Sequence, residues 1–371
     1  MQGRLKWLIC AALAATVVFS LMTYFDPVSL WFHHKVKETE IQHTRAQTVD
    51  KEHQPATQNS STLQDIDWDV GVQRLDPIVY SEPCSGTIND SRRTTLFKDY
   101  DKVQHYLDDF FGSIADINAL PKDADPVFIT GVSSNHLRES MNMFNNFNSV
   151  VRKMKPNVRM IFYDLGLQAD EPDQIKAICQ CEYRLFPFEY FPAYVKELKG
   201  YAWKPLLIMM VLKEYPFAVW MDSSILFTTS NISGLLDMAR RLDVICTPGG
   251  GSVALRTLPV TFGFFREKAC TFRKLPEIQA GFFIARTTPF VVQNILKPWI
   301  ACALVIDCIV PHDGWQKYYR CGLHGNVYGD CHRYEQSVLA ILLYRAYGYD
   351  IYKRMERYEG DYVKLPWPAW P

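Results

Sequence analysis

The sequence of 371 residues has no excess of either charge, because 40 Lys and Arg residues balance 40 Asp and Glu residues. Without a basic excess or a long run of like charge, the composition does not favour nucleic acid as a partner. The chain also has no internal repeat, no Gly-x-Ser-x-Gly nucleophile elbow and no pair of Cys-x-x-Cys motifs. These absences disfavour a solenoid, an α/β-hydrolase and a zinc-ribbon protein.

One long uncharged run, Trp7 to Phe25, stands near the start of the chain. A run of this length can span a bilayer, and Arg4 and Lys6 before it place the N-terminus in the cytosol. A cleaved signal peptide is the alternative, but small residues suited to cleavage lie too early in the run. We therefore expect a cytosolic tail (1–6) and a signal anchor (7–25), as in a type II, single-pass membrane protein of the Golgi or endoplasmic reticulum.

Nine of the ten cysteines follow this run and would lie in the lumen, where disulfides form. Because nine is odd, at least one is expected to stay free or to pair with another chain. Cys321 and Cys331 bracket a loop and are expected to pair with each other or nearby. Cys179 and Cys181 are expected to be too close in an extended chain for an easy bridge. Asn-x-Ser sequons consistent with a lumenal glycoprotein occur at Asn59, Asn89 and Asn231.

The segment from about His33 to Asn59 is polar, with few aromatic residues, which is typical of a flexible stem. We expect a stem with a loosely packed extension over residues 26–125. From about Pro126, short apolar runs alternate with helical patterns. This alternation predicts right-handed crossovers and an α/β fold for residues 126–371, with a mainly parallel Rossmann-type sheet and helices on both faces.

The stretch from Tyr201 to Phe227 is the most informative part of this region. Pro205 suits the first turn of a helix, and residues 206–212 are apolar on every face, so a helix packed on all sides is predicted. Residues 217–221 form a continuous apolar run, as in a central parallel strand. Asp222 follows that strand, at the sheet edge where open α/β sheets bind ligands. Its carboxylate could hold a metal or a sugar hydroxyl, or could cap the next turn.

Two more predicted strands end at this edge, at Gly131 and at Asp164. The polar residues after the first strand, Ser133, Ser134 and Asn135, could contact phosphates or a sugar, or could cap the following helix. Three strand ends with polar side chains at one edge predict a binding cleft.

The last helix is predicted to begin near Cys331. His332, Glu335 and Gln336 lie on its first turns at three- and four-residue spacings, so they share a face. They could supply a metal ligand and a base or a hydroxyl contact, or could equally form a capping arrangement. The glycine-rich run at residues 248–252 lacks the spacing of a phosphate-binding loop and is more typical of a flexible connector.

Five motifs together resemble a family of mostly uncharacterised single-pass secretory proteins, catalogued as domain of unknown function 1647. They are Ser133-Ser134-Asn135-His136, Tyr163-Asp164-Leu165-Gly166-Leu167, Tyr201-Ala202-Trp203-Lys204-Pro205, Trp220-Met221-Asp222-Ser223-Ser224 and His332-Arg333-Tyr334-Glu335-Gln336-Ser337. The resemblance covers roughly Pro126 to Asp350. More distantly, the order of parts is similar to nucleotide-sugar glycosyltransferases of the GT-A fold, in which a basic residue precedes a strand ending in Asp-x-Asp and an Asn-Ala-Gly strand follows.

This second resemblance implies roles for individual residues. Lys204 would face the donor diphosphate, and Asp222 would match the first Asp of the Asp-x-Asp motif. Ser224 stands where the second Asp is expected, so Mn²⁺ or Mg²⁺ would need a further ligand, because hard cations bind several oxygens. His332 or Glu335 could help; otherwise the protein is independent of metal, or inactive.

The implied site residues fall into four groups. Donor-binding residues are Ser133, Ser134, Asn135, Asp164, Lys204 and Ser224. Acceptor-side residues are Gln279, Gly281 and Gln336, of which Gln279-Ala280-Gly281 would match the Asn-Ala-Gly strand. Catalytic residues are Asp222 and Glu335, with Glu335 as the base of an inverting reaction, and metal ligands are Asp222 and His332.

The sequence thus favours a membrane glycosyltransferase that moves a sugar from a nucleotide-diphosphate donor to a hydroxyl of a glycan or protein. A non-catalytic lumenal binding protein on the same fold is the alternative, favoured by Ser224. A Rossmann-type methyltransferase would need a glycine-rich loop directly after the first strand, and Gly131 alone is a weak match.

Overall fold

The computed structural model describes residues 123–318, 328–356 and 362–364, with Cys84, residues 87–88, Val103, Leu107, residues 114–121 and Cys321. The strands are β1 (Val127–Val132), β2 (Arg159–Asp164), β3 (Glu182–Leu185), β4 (Phe217–Met221), β5 (Leu226–Phe227), β6 (Val244–Ser252), β7 (Pro276–Arg286) and β8 (Val363–Lys364). The helices are α1 (Ile114–Asn118), α2 (Leu137–Met154), α3 (Glu171–Cys179), α4 (Trp203–Glu214), α5 (Ser233–Leu242), α6 (Pro259–Phe264), α7 (Pro289–Val291), α8 (Lys297–Ala303) and α9 (Tyr334–Tyr347).

The predicted anchor, residues 7–25, lies outside the described residues. Among those that are described, no helix combines the length and the apolar character that a bilayer crossing requires. The described chain divides into two compact units, one of which contains Pro187–Ala193 with a short 3-10 helix at Phe188–Tyr190. The other unit contains all of the strands, and the rest of this description concerns it.

Six of the described strands form one sheet in the order β3-β2-β1-β4-β7-β6, and β5 pairs with β8 in a separate ribbon. β1 is parallel to both β2 and β4, and β2 is parallel to β3. β7 runs antiparallel to both of its neighbours, β4 and β6. The prediction of an α/β fold with a mainly parallel sheet is therefore confirmed, with one reversed strand that makes the sheet mixed.

Helices α2, α3 and α5 pack on one face of the sheet, as alternating strand side chains require. Phe128 of β1 contacts Phe147 of α2 edge to face at 5.0 Å between ring centroids. The ring centroid of Phe227 lies 6.0 Å from that of Phe128 and 5.9 Å from that of Phe147. These three aromatic side chains are buried and anchor this face of the core.

Helices α4, α8 and α9 cover the other face. Trp203 of α4 lies 6.0 Å from Trp220 of β4, and Trp299 of α8 lies 5.6 Å from Phe283 of β7, between ring centroids. The apolar part of α4 is buried on all sides, as its sequence predicted. Helices therefore cover both faces, and a side chain on α4 can reach the central strand β4.

The glycine-rich run at residues 248–252 belongs to strand β6 and is not a connector. A Cβ on Gly249 would lie 2.2 Å from Glu277, and one on Gly251 would lie 2.2 Å from Arg256. The glycines are needed because these two side chains pack directly on the strand backbone. The expectation of a flexible connector was wrong, since periodicity does not reveal a strand that lacks side chains.

A π-helical segment, Val292–Leu296, lies between α7 and α8, just before Pro298. Proline has no N–H to donate to the preceding turn, and a π-bulge is one way in which a helix absorbs that loss.

The described cysteines form four disulfides: Cys84–Cys270, Cys179–Cys181, Cys302–Cys308 and Cys321–Cys331. The pairing of Cys321 with Cys331 is confirmed, and Cys246 stays free and buried, as the odd count predicted.

The expectation that Cys179 and Cys181 are too close to pair was wrong. It assumed an extended chain, whereas Gln180 adopts a left-handed conformation (φ 48°) that turns both sulfurs to the same side. Arg152 stabilises this turn by donating hydrogen bonds to the carbonyl oxygens of Cys179 (2.9 Å) and Gln180 (2.7 Å).

Part of the predicted extension before Pro126 is attached to the later chain. Cys84 is bonded to Cys270, and Leu107 and Ile117 are buried. The chain before β1 is therefore joined to the later chain by one disulfide, and two of its apolar side chains are buried.

Candidate functional site

Asp222 follows the last residue of β4 at the carboxyl edge of the sheet. Its N–H donates to the carbonyl of Gly281 on β7 (2.8 Å), so the strand ladder fixes its backbone. The backbone also closes the next turn, because Ile225 N–H donates to the carbonyl of Asp222 (3.0 Å). The carboxylate is therefore left for other contacts, with the side chain 35% exposed.

Two donors orient that carboxylate. Trp220 Nε1 donates to Asp222 Oδ1 (2.9 Å), because residues two apart on a strand point to the same face. Lys204 Nζ lies 3.0 Å from the same oxygen. With Oδ1 held by both groups, Oδ2 is the oxygen available at the sheet edge.

Lys204 itself is almost completely buried, with 2% of its side chain exposed. Its ammonium also contacts Glu335 Oε1 at 2.8 Å. Burial alone would lower the pKa of Lys204, but the two facing carboxylates outweigh burial and raise it. Lys204 is therefore a permanent cation that positions Asp222, and not an exposed group that faces a donor diphosphate, as the resemblance had implied.

Three aromatic rings surround the Lys204 ammonium. The rings of Tyr201, Trp203 and Trp220 have their centroids 5.3, 5.9 and 5.4 Å from Nζ. Cation–π contacts of this kind add to the attraction that holds a desolvated ammonium. The lysine, its aromatic neighbours and both carboxylates form one preorganised unit, which we call the lysine box: Tyr201, Trp203, Lys204, Trp220, Asp222 and Glu335.

The backbone around the lysine box is strained. Tyr201 and Tyr334 both have positive φ angles (55° and 47°), which bulky residues rarely adopt. Their rings lie 6.1 Å apart, next to the lysine and to Glu335 respectively. Strained residues of this kind persist only where surrounding contacts hold them, and they concentrate at functional sites.

Glu335 has only 5% of its side chain exposed, at the start of α9. Burial raises its pKa, and the ammonium of Lys204 opposes that shift. Trp299 Nε1 donates to the backbone carbonyl of Glu335 (3.1 Å), which fixes the helix start. The carboxylate is enclosed and ion-paired, so it does not fit the predicted role of a base that meets an acceptor hydroxyl.

A second basic side chain and carboxylate, His136 and Glu139, lie at the same edge, and neither was among the predicted site residues. His136 Nδ1 is 2.9 Å from Glu139 Oε2, and Ser223 Oγ donates to that oxygen (2.7 Å). The hydrogen bond with Glu139 raises the pKa of His136, burial opposes this, and the charge of Asp222 raises it further. The signal in the sequence was the three-residue spacing of His136 and Glu139 where a helix begins after a strand.

The predicted donor-binding residues near β1 and β2 mostly contact each other. Ser133 Oγ donates to Asn135 Oδ1 (2.6 Å), and Ser134 Oγ bonds to Glu171 and accepts from Gln168 N–H (3.1 Å). These contacts tie the loop after β1 to the loop after β2.

The carboxylate of Asp164 accepts hydrogen bonds within its own turn and from a neighbouring strand. Oδ1 accepts from the N–H groups of Gly166 and Leu167, both at 2.7 Å, and Oδ2 accepts from the hydroxyl of Tyr183 (2.5 Å). With both oxygens engaged and the residue 8% exposed, it fits a structural role better than the predicted donor contact.

The predicted acceptor-side residues do not all lie at the sheet edge. Gly281 adjoins Asp222, as described above, and Gln279 is partly exposed on β7. Gln336 is buried and donates to Glu277 Oε2 (3.0 Å), while Arg256 Nη1 binds Glu277 Oε1 (2.5 Å). Gln336 therefore belongs to an internal polar network, whereas Ser224, partly exposed, stays near the edge.

His332 does not fit the predicted metal ligand. Its Nδ1 accepts from Leu258 N–H (3.4 Å) and its Nε2 donates to the carbonyl of Ile309 (3.1 Å). Burial lowers the pKa of His332 to about 3, so the ring stays neutral. Neither nitrogen offers a free lone pair.

A divalent cation does not fit the residues at this edge. In the part of the chain that the structure describes, no three His, Cys, Asp or Glu side chains are grouped to hold a metal ion. Asp222 already faces the ammonium of Lys204, and Ser224 replaces the second carboxylate. The positive charge opposite Asp222 is supplied by the protein itself.

Residues 98–209 match the family model described as "Protein of unknown function (DUF1647)". This confirms the resemblance inferred from the motifs. The match includes the segments around Asp164 and Lys204, and it ends before the segments of Asp222 and His332. No sequence among the curated proteins matches this chain.

Solved structures that resemble this chain include several glycosyltransferases. Mouse xyloside xylosyltransferase 1 is 12% identical, with 67% of this chain and 99% of that chain covered and a TM-score of 0.39. Core-mannan synthase A from Aspergillus fumigatus, in a Mn/GDP form, is 11% identical, with 76% and 80% covered and a TM-score of 0.39. The mannosyltransferase Ktr4p from S. cerevisiae, in complex with GDP, is 11% identical, with 78% and 79% covered and a TM-score of 0.38. At TM-scores below 0.5 we draw no functional conclusion from these similarities.

Proposed function

We propose that this chain is a glycosyltransferase that moves a sugar from a nucleotide-diphosphate donor to a hydroxyl of a glycan or protein. The observation that carries the proposal is Asp222, a partly exposed carboxylate at the carboxyl end of a central strand, oriented by Trp220 and Lys204. This is the edge at which open α/β sheets bind ligands. The order of motifs, which is similar to GT-A enzymes, supports a sugar nucleotide as that ligand.

The lysine box has a definite task in this reaction. A preorganised carboxylate at the edge can accept hydrogen bonds from sugar hydroxyls and stabilise positive charge that develops on the sugar ring. Lys204 holds Asp222 in one orientation, because the ammonium is buried and is itself held by Glu335. The mechanism uses no metal step, since the residues present do not fit a divalent cation.

The alternative is a non-catalytic lumenal protein that binds a sugar or nucleotide at the same edge. The observation that favours it is the enclosure of Lys204, whose ammonium contacts two carboxylates, Asp222 and Glu335. Such an arrangement can serve rigidity alone.

Nucleotide release separates these functions. Full-length protein in detergent would be incubated with a panel of UDP- and GDP-sugars, and free UDP and GDP measured with and without EDTA. A transferase releases nucleotide, and because the described residues at the edge do not fit a divalent cation, EDTA should leave the rate unchanged. A binding protein shows a nucleotide-dependent rise in melting temperature without release. If the protein shows neither nucleotide release nor a rise in melting temperature, the proposal is overturned.

We further propose a type II topology, with residues 7–25 as the anchor, 26–125 as stem and extension, 126–371 as the catalytic region, and residence in the Golgi or endoplasmic reticulum. The motivation is the uncharged run after Arg4 and Lys6. Protease added to sealed microsomes should leave nearly the whole chain intact. Digestion of most of the chain would refute this orientation.

A further inference from the structure

The pair formed by His136 and Glu139 has the geometry of an oriented base. His136 Nδ1 is 2.9 Å from Glu139 Oε2, which selects the tautomer with a proton on Nδ1. Among the described residues, none forms a hydrogen bond with Nε2. The imidazole is 53% exposed, so this nitrogen presents its lone pair to solvent.

Glu139 is itself held in place. Ser223 Oγ donates to Glu139 Oε2 (2.7 Å), and Ser223 is adjacent to Asp222 in sequence. The serine therefore links the beginning of α2 to the end of β4. This link places the imidazole at the same edge as the Asp222 carboxylate. The charge of that carboxylate raises the pKa of His136.

Among the described residues, the two charged groups that act on His136 are both carboxylates. They are Glu139, on its own helix, and Asp222, on the loop after β4. Two negative charges stabilise an imidazolium more than a neutral ring, which strengthens the imidazole as a proton acceptor.

Within the described part of the chain, the predicted base Glu335 and the two other histidines have surroundings that do not fit proton transfer at this site. Glu335 is 5% exposed and bound to Lys204. His332 has both nitrogens engaged by backbone groups. His312 pairs with Asp307 in a similar way (2.7 Å), but the charges that affect it are Asp307, Asp313 and Lys317, and none belongs to the site.

We propose that His136 is the general base of the transfer reaction, with Glu139 and Ser223 as positioning residues. The inference rests on the proposed glycosyltransferase function. The acceptor O–H bond breaks and its proton passes to His136 Nε2, while the oxygen bonds to the anomeric carbon. The bond from that carbon to the donor phosphate breaks, and its electron pair leaves with the nucleoside diphosphate. The imidazolium then releases the proton to water.

The test uses full-length protein in detergent and the panel of UDP- and GDP-sugars, with water as the acceptor. Nucleotide release is measured across pH, and melting temperature is measured with added UDP or GDP. His136→Gln should lower release by about a hundred- to ten-thousand-fold, as expected for loss of a general base. It should keep the nucleotide-dependent shift in melting temperature. The matched control, His312→Gln, removes another exposed His–carboxylate pair and should leave both readouts unchanged.

The pH profile separates chemistry from structure. A base acts when deprotonated, so release by the wild type should rise with pH through the pKa of His136, on the alkaline side of the ordinary value of 6.5. Glu139→Gln should move this rise to lower pH, because it removes the stronger of the two carboxylate interactions.

Release by His136→Gln within a few-fold of wild type, with the same acid limb, would overturn the inference and leave the transferase intact. A wild type that releases no nucleotide from any donor would overturn both.

Discussion

Two pairs of a basic side chain and a carboxylate lie at one edge of the sheet, and they differ in burial. Lys204 and Glu335 are enclosed, with 2% and 5% of their side chains exposed, and aromatic rings surround the ammonium. His136 and Glu139 are 53% and 35% exposed. An enclosed pair cannot exchange its partner for water or substrate, so it fixes geometry, whereas an exposed pair can take part in a reaction. Asp222 interacts with both pairs: Lys204 of the first pair orients its carboxylate, and its charge raises the pKa of His136 in the second pair.

The largest effect is expected from breaking the enclosed pair. Lys204→Met leaves Glu335 buried without its counter-charge, which should lower the free energy of unfolding by about 3–5 kcal/mol. Urea denaturation followed by tryptophan fluorescence measures this loss. Adding Glu335→Gln to the same chain should restore part of the stability, because the uncompensated charge is then gone.

The control for that variant is Lys353→Met, which removes an exposed lysine paired with Asp350 at 2.7 Å. Its denaturation midpoint should not change. Equal shifts for Lys204→Met and Lys353→Met would show that burial does not distinguish the two pairs.

Next in size is the effect of Asp222→Asn on turnover. The amide keeps the shape but loses the charge, so nucleotide release should fall by about a hundred- to a thousand-fold. The melting temperature should change little, because the side chain is 35% exposed and Lys204 retains Glu335.

Asp164→Asn is the matched comparison, since Asp164 follows β2 as Asp222 follows β4. Its carboxylate holds its own turn and Tyr183, so this variant should lose stability and keep most of its turnover. Unchanged turnover in Asp222→Asn would remove that residue from the mechanism, and a collapsed melting temperature would give it a structural role.

The buried histidine gives a smaller effect that depends on pH. Burial lowers the pKa of His332 to about 3. Below pH 6.5 the unfolded chain therefore binds a proton at this histidine, whereas the folded chain does not. The contribution to stability is complete above pH 6.5 and declines as pH falls, by at most about 1.4 kcal/mol per pH unit. Proton NMR of the ring between pH 7 and pH 4 should show no titration. A midpoint within that range would contradict the buried, neutral assignment.

The smallest effect, of opposite sign, belongs to His136. Its pKa is raised by the hydrogen bond to Glu139, so its contribution to stability is complete below pH 6.5 and is lost as pH rises through the folded-state pKa. Because the ring is half exposed, solvent screening keeps this contribution small. The same NMR titration should give a midpoint above 6.5 for His136, lower in Glu139→Gln. An identical midpoint in both proteins would remove Glu139 as the cause.

The elements themselves could be predicted from local pattern. The apolar run before Asp222 is a strand buried on both faces, and the apolar segment after Pro205 is a helix packed on all sides. Both follow from how many faces of an element carry apolar side chains. For the same reason, the position of Asp222 at the carboxyl edge was accessible from sequence alone.

The roles of polar residues were less accessible, because they depend on partners distant in sequence. Lys204 and Glu335 are separated by more than a hundred residues and meet only where α4 and α9 pack. Spacing placed His332 and Glu335 on one face, yet one is held by backbone groups and the other by an ammonium.

By itself, the sequence determined the alternation of strands and helices, the carboxylate at the end of the central strand and the odd cysteine, since each depends on local pattern or on counting. Only the tertiary structure decided which charges are enclosed and which are exposed. It also brought Ser223 to Glu139 and turned Gln180 so that two neighbouring cysteines could pair. The physical reason is that desolvation and partner choice depend on the packing of distant segments, which no local pattern encodes.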